Sequence, residues 1–473
     1  MTATHMALTP QTAQENYDRL SPIAQAILQF LSILMEPINR SNLAKHLRDA
    51  GILGTDGRAL SIMGLTPIID RLAGFKLIVT GELPANQFYC AASIAAHATR
   101  RAVAAGQLQR MAAVIQREFP LYYNYAKKVT SYERCLRDLR IAVFSHDPQQ
   151  AAKYAQVCLE QCRDKMMVYR PFVQICDHPF VAEWFRALPP SLQADALSEI
   201  VASRLENFAT VADILPLLHE LRHHPDESLA MRMRKQLVTI LIFQGHVDEA
   251  QGILQADKPV ENAIALQGWI HFLRGENEQA VQSFDRLMGV LKKVNDRRRA
   301  ILRELSGLFL LLALMKSGQS EHRTWLVEFL VQAAKKPLTS LTPICACLEA
   351  ALAVRENKID QALTLLKTGV DWIPDWINPE EIRLRRATRE TRLTKLFRAV
   401  AGFWADIEQA RKDKHELQDL FDQAERHGHH WALMESATLM AALDPTVIVV
   451  ANLATGAQRK FGTLLQTARG LPW

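Results

Sequence analysis

The sequence predicts a mainly α protein: a small N-terminal domain of three helices closed by a β-hairpin, followed by a solenoid of paired helices. Three observations predict it. From Leu20 to Cys90 apolar residues recur first at helical and then at strand spacing. After Ile94 helical segments follow one another, separated by short breaks such as HDP at 146–148, LPP at 188–190, HHPD at 223–226 and KKP at 335–337. The stretch GWIHFLRGENEQAVQSF, Gly268 to Phe284, puts small residues at Gly268, Gly275 and Ala280 and a large one at Phe284. Two helices joined by a tight turn need small and large residues at those places.

Residues 1–19 are polar and are expected to be loose and flexible. Ser21 as cap and Pro22 at the first helical position open SPIAQAILQFLSILME, and Pro37 ends it. NRSNLAKHLRDAG follows, capped by Asn39 or Ser41 and stopped at Gly51. After a flexible GTDGRAL comes SIMGLTPIIDRLAGF. Its Pro67 lacks an N–H and fits best near a helix start, which puts that start around Leu65. KLIVTGELPANQFYCA reads as strand Lys76–Thr80, a turn holding Gly81, Pro84 and Asn86, and strand Gln87–Cys90.

Three helices and a hairpin in this order resemble a winged helix, with Ile68–Ile78 as the end of its third helix and the start of its wing. That resemblance implies one of two uses. The third helix enters a DNA major groove while the wing touches phosphate, or the module docks on another protein. DNA binding needs cations on that face. From Leu20 to Cys90 the cations Arg40, Lys45, Arg48, Arg58, Arg71 and Lys76 stand against Glu36, Asp49, Asp56, Asp70 and Glu82, a weak excess. Arg58, Arg71 and Lys76 are the candidate DNA contacts of this domain.

GWIHFLRGENEQAVQSF resembles a tetratricopeptide (TPR) repeat, which implies a binding surface rather than an enzyme. Gly268 admits a close helix approach, Gly275 makes the turn, and Ala280 is the small contact that Phe284 covers. Weaker relatives share the frame: Gly245, Ala250 and Leu254; Asn357, Ala362 and Leu366; Asp147 and Ala152. Ala250 to Ala280 is 30 residues and Ala280 to Ala362 is 82, so the array is degenerate. DWIPDWINP, 371–379, breaks the pattern, and TVIVVA, 446–451, reads equally as strand or short buried helix. The expected division is a flexible 1–19, a winged helix at 20–93, a helical region at 94–225, TPR-like repeats at 226–370 and a C-terminal helical region at 371–473.

Hydrophobic content of 49% and charged content of 22% exclude bulk disorder, and a net charge of +6 permits an anionic partner without demanding one. Lys292, Lys293, Arg297, Arg298 and Arg299 crowd one predicted turn between helices, a candidate phosphate or acidic-partner contact. Between Arg100 and Arg140, Tyr122, Tyr123, Tyr125 and Tyr132 alternate with cations. Either the tyrosines stack on bases, or they pack inward with the arginines solvated. Arg385, Arg389 and Arg392 share one helix face.

The seven cysteines are odd in number and sit in apolar helical stretches, so reduced buried thiols in a cytoplasm are expected. The N-terminus has no basic start followed by an apolar run, so no secretory signal is expected. Leu308–Met315 is far short of the roughly 20 apolar residues that span a bilayer. Cys158 and Cys162 share a helix face but have no second pair at zinc spacing, and His427, His429 and His430 sit at a helix end. No metal and no cofactor are expected. GxxxxGK[ST], GxSxG and HExxH are missing, so no catalytic activity is expected either.

Trp269 to Gly318 holds the repeat, the basic turn and AILRELSGLFLLLALMKSG. In that order it resembles the helical, non-catalytic N-terminal region of some bacterial SNF2-type helicase proteins, over about a tenth of the chain. The resemblance implies a partner to a DNA-translocating motor, on the same polypeptide or in trans, and carries over no catalytic residue. The expected function is non-enzymatic recruitment. The solenoid would hold a protein partner such as an ATPase, helicase or nuclease. The winged helix and basic turns would offer DNA a second surface, with no membrane partner. The alternative is a winged-helix transcription regulator with a TPR-like sensor domain.

Overall fold

In the computed structural model the chain is mainly α and forms two compact units, residues 1–200 and 201–473. The structure describes residues 9–80, 86–122, 128–162, 170–177, 179–256, 259–260, 262–295, 304–335, 341–368, 391–444, 449–452 and 458–461.

The first unit opens with a helix where a loose segment is expected. α1, Pro10–Asp18, is capped by Thr9 and buries Ala13 and Tyr17 completely; Tyr17 accepts a hydrogen bond from Gln29 at 2.8 Å. Its polarity disguises it, because two side chains are enough to dock so short a helix. α2, Pro22–Leu34, starts as the sequence indicates, with Ser21 Oγ accepting from Ala24 N–H and Pro22 at the first position. β1, Ile38–Asn39, follows, and Asn39 caps α3, Arg40–Asp49, at 2.8 Å. Such a cap contributes about 1 kcal/mol.

α4, Ile62–Gly74, begins earlier than Pro67 suggests. Ser61 accepts from Gly64 N–H at 3.1 Å and starts the helix, and Pro67 lies inside it. The missing Pro67 N–H costs one helical bond, which the cap and the burial of Leu65, Ile69 and Leu72 outweigh. β2, Ile78–Val79, and β3, Gln87–Cys90, then pair antiparallel through Ile78↔Cys90 and Val79↔Tyr89. β3 also pairs with β1 through Ile38↔Phe88, so the sheet order is β1-β3-β2. The expected hairpin is present, with a third strand that sequence reading does not find. The turn of that hairpin, 81–85, lies outside the described residues.

α5, Ala92–Ala104, packs on α2. α6, Leu108–Glu118, α7, Tyr132–Phe144, and α8, Pro148–Gln161, follow. The structure joins Cys135 of α7 to Cys158 of α8 in a disulfide, with Cα atoms 5.9 Å apart. This corrects the expectation that all the cysteines are reduced. The two cysteines are 23 positions apart, and only the antiparallel packing of α7 on α8 brings them together. Cys90, Cys176 and Cys345 remain buried thiols.

One turn recurs across both units. Gly106, His146, Gly245, Gly275, Gly318, Asn357 and Gly428 all have positive φ, each two residues after one helix and two before the next. At Gly275 the bonds are those of a Schellman stop: Gly275 N–H donates to Phe272 O, and Glu276 N–H to His271 O, both at 2.9 Å. The residue five positions beyond the turn is a fully buried alanine at Ala151, Ala250, Ala280 and Ala362. The reading of Asp147 and Ala152 as a repeat frame is therefore one residue out. His146 holds the left-handed turn, Asp147 caps α8 by accepting from Gln150 N–H at 3.0 Å, and Ala152 is exposed.

In the second unit the hairpins are Glu227–Phe243 with Val247–Gln255, Ala263–Leu273 with Asn277–Asn295, and Leu341–Arg355 with Ile359–Thr368. Glu304–Lys316 with Ser320–Lys335 and Lys414–Arg426 with His430–Leu443 complete the series. A Cβ at Gly268 would lie 3.0–3.2 Å from three ring carbons of the fully buried Phe284. Arg392–Ala405 packs on both Leu341–Arg355 and Ile359–Thr368, across the DWIPDWINP segment, which lies outside the described residues. β4, Val449–Asn452, and β5, Gln458–Phe461, pair antiparallel, so the last three residues of TVIVVA, 449–451, are strand, while 446–448 lie outside the described residues.

Candidate interaction surfaces

The outward face of α4 is the surface on which a DNA reading depends. Leu65, Ile69 and Leu72 point into the core, which leaves Ile62, Met63, Pro67, Asp70 and Arg71 exposed, with Met63 87% accessible. Asp70 is paired with Arg40 of α3 at 3.2 Å. The three predicted cations stand on different elements. Arg58 closes the exposed turn before α4, where its N–H donates to Asp56. Arg71, in the last turn of α4, donates to Arg19 O at 3.3 Å and lies over the Phe75 ring. Lys76, with φ of 53°, leads into β2. At the start of α4, where a groove reader needs donors and positive charge, this chain presents Ile62 and Met63.

Of the predicted basic turn, the structure describes only the first two cations. Lys292 and Lys293 belong to the helix Asn277–Asn295 and not to a turn, because that helix runs on past both lysines. Arg297, Arg298 and Arg299 lie outside the described residues. Of the third basic set, Arg383–Arg389 also lie outside them, and Arg392 N-H donates to Asn207 O at 2.7 Å.

The Arg100–Arg140 stretch turns partly inward. Arg134 donates to Glu36 at 3.0 Å, and Arg137, fully buried, bridges Glu36 at 3.2 Å and Asp138 at 2.9 Å. Arg140 donates to Thr99 at 2.8 Å, and burial pulls its guanidinium down to about 10. Tyr132 is buried as well, while Tyr123 and Tyr125 lie outside the described residues. Neither reading of the stretch foresees buried arginines, because their carboxylate partner, Glu36, comes about a hundred positions earlier in the chain. The only hint in the sequence is that Arg134, Arg137 and Arg140 recur at helical spacing toward one face.

On the repeats, Val327 and Val331 stand one turn apart on Ser320–Lys335 and are both nearly half exposed, as is Val290 on Asn277–Asn295. Beside the Gly275 turn a shallow cleft is lined by Glu276, Asn277, Glu278, Gln279, Lys316 and Ser317. Burial lowers the Lys316 ammonium, which sits 4.7 Å above the Phe272 ring, and burial pushes the Glu435 carboxyl coupled to it up to about 7. Glu199 is likewise pushed up to about 7 by burial while accepting the Phe172 N–H at 2.9 Å, a structural task at a helix start. Among the described residues no helix is long and apolar enough to cross a membrane.

No protein-family model matches the chain, and no curated protein does. A solved structure of a Signal Transduction ATPase with Numerous Domains (STAND) protein with a tetratricopeptide repeat sensor, from Pyrococcus horikoshii, is similar at 13% identity and a TM-score of 0.36. The similarity covers 93% of this chain and 63% of that one, so this chain spans less than two thirds of that protein's length. No residue role is carried across.

Proposed function

We propose that this chain is a non-enzymatic recruitment scaffold of the cytoplasm. The helical hairpins of residues 201–473 hold a protein partner, and the N-terminal module, a winged helix in its arrangement, docks a second protein rather than DNA. The observation that carries the reading is the Ile62–Met63 start of α4, exposed and apolar at the place where a DNA reader carries donors. Large apolar side chains anchor protein interfaces, and the cores of such interfaces are depleted in charge. The paired valines Val327 and Val331 are the corresponding anchors on the repeats. The SNF2-type resemblance of Trp269–Gly318 makes a DNA-translocating ATPase or a nuclease the partner class to try first.

The test has two arms. A photo-crosslinker at Met63 is expected to label that motor when the two are mixed, and Ile62→Asp is expected to abolish the labelling. Duplex DNA titrated at low salt is expected to show no shift attributable to Arg58, Arg71 or Lys76. A salt-sensitive shift lost in R58E/K76E would overturn the docking reading and restore DNA as the ligand. Sequence-specific binding would favour a transcription regulator. Steady turnover of a nucleotide by the chain alone would refute the non-enzymatic part.

A further inference from the structure

We propose that His46, Asp49 and Glu118 bind one divalent transition-metal ion, zinc by the chemistry of the ligands, clipping α3 to the end of α6. His46 and Asp49 are three residues apart on α3 and so share a face, and Glu118 is the last residue of α6. Their ligand atoms all lie within 4.8 Å of one another. His46 is only 5% exposed, and its Nδ1 has no hydrogen-bond partner. That nitrogen is aimed at the carboxylates, 3.8 Å from Glu118 Oε2. Zinc bonds to nitrogen and oxygen at about 2.0–2.2 Å, which sets the ligands of a tetrahedral site about 3.4 Å apart. Small side-chain rotations close the difference. The Phe119 ring, 5.2 Å from the imidazole and edge-on to it, holds the plane of His46.

Nearby cations work against the metal. Lys45 Nζ lies 2.9 Å from Glu118 Oε2, Arg117 Nε 3.0 Å from Glu118 Oε1, and Arg48 Nε 3.7 Å from Asp49 Oδ1. Each of these side chains is more than half exposed, so it leaves at little cost. None of them answers His46 Nδ1. One imidazole with two carboxylates favours zinc over magnesium or calcium, which prefer oxygen alone. Sequence reading expects no metal because it weighs cysteine pairs and neighbouring histidines; this set is completed by a residue 73 positions beyond Lys45.

The experiment is calorimetric titration of the full chain, stripped by chelator, with zinc chloride and with magnesium chloride. The cobalt(II) form is read by its absorption spectrum. One zinc per chain is expected, with no magnesium heat and no thiolate-to-cobalt charge-transfer band. Asp49→Asn, Glu118→Gln and His46→Ala are each expected to weaken binding at least about tenfold, the low end of what losing even an outer-sphere partner costs. Asp49→Asn and Glu118→Gln keep the shape of the site should His46→Ala unfold. Lys45→Met is expected to tighten binding, because it removes a competitor; a purely structural ion-pair cluster predicts no such gain. Wild-type protein without saturable zinc binding, binding unchanged in D49N and E118Q, or a thiolate band would each overturn the proposal.

Discussion

Replacing Gly268 by alanine tests a close helix approach in the repeats. The new Cβ would lie 3.0, 3.1 and 3.2 Å from three ring carbons of Phe284. That ring is fully buried and Gly268 is buried in mid-helix, so neither has open space to move into. Overpacking of this kind costs about 1–3 kcal/mol. Alanine also stiffens the helix, which returns about 1 kcal/mol. The balance is a destabilisation of about 1 kcal/mol. In a Phe284→Ala background, itself destabilised by about 3–5 kcal/mol, the clash is gone and only the helix gain remains. G268A should then stabilise by about 1 kcal/mol, a change of sign and a coupling of about 2 kcal/mol. Native-state hydrogen exchange of the amides in Ala263–Leu273 and Asn277–Asn295 reads this local opening, where whole-chain melting would mix two units. The same sign in both backgrounds would show that Phe284 does not set the helix approach.

Gly245 and Gly275 share a φ of 80°, but a Cβ at Gly245 would sit 2.7 Å from His430 Cγ while one at Gly275 meets nothing within 4 Å. Gly275→Ala should cost only the left-handed strain of about 1–2 kcal/mol. Gly245→Ala should cost visibly more, seen as the lower melting temperature of the two variants. Arg137→Ala removes a fully buried cation between Glu36 and Asp138 and is expected to destabilise the first unit by about 3–5 kcal/mol, measured from urea midpoints. His429 is 2% exposed, its Nε2 donates to Ala209 O at 3.2 Å, and burial pulls it from 6.5 down to about 4. The unfolded chain therefore takes up that proton first. Stability should fall as pH drops from about 6.5 to 4, by about 3 kcal/mol in all, and level off below that. His46, His97 and His427 are lowered in the same sense, so the difference between wild type and His429→Gln isolates this residue.

Features written in a few adjacent residues were legible. The Ser21–Pro22 and Asn39 helix starts, the Gly245, Gly275 and Asn357 turns, and the small Ala250, Ala280 and Ala362 contacts all depend on local backbone geometry. β1 was not legible, because two residues are a strand only when β3 is there to pair with them. Nor was the His146 turn, since histidine carries no mark of a left-handed position until Asp147 is seen capping the next helix. Of the surfaces, the sequence made Arg58, Arg71 and Lys76 candidates by charge, but folding set them on separate elements and left Ile62 and Met63 outward on α4.

By itself, then, the sequence determined a mainly α chain of capped helices joined by left-handed turns, because caps, turns and helical periodicity act over a few residues. Only the tertiary structure decided the Cys135–Cys158 bond, the pairing of buried Arg137 with Glu36, and the meeting of His46 with Glu118. Each joins residues far apart in the chain. Such contacts are set by how the helices pack and not by spacing along the sequence.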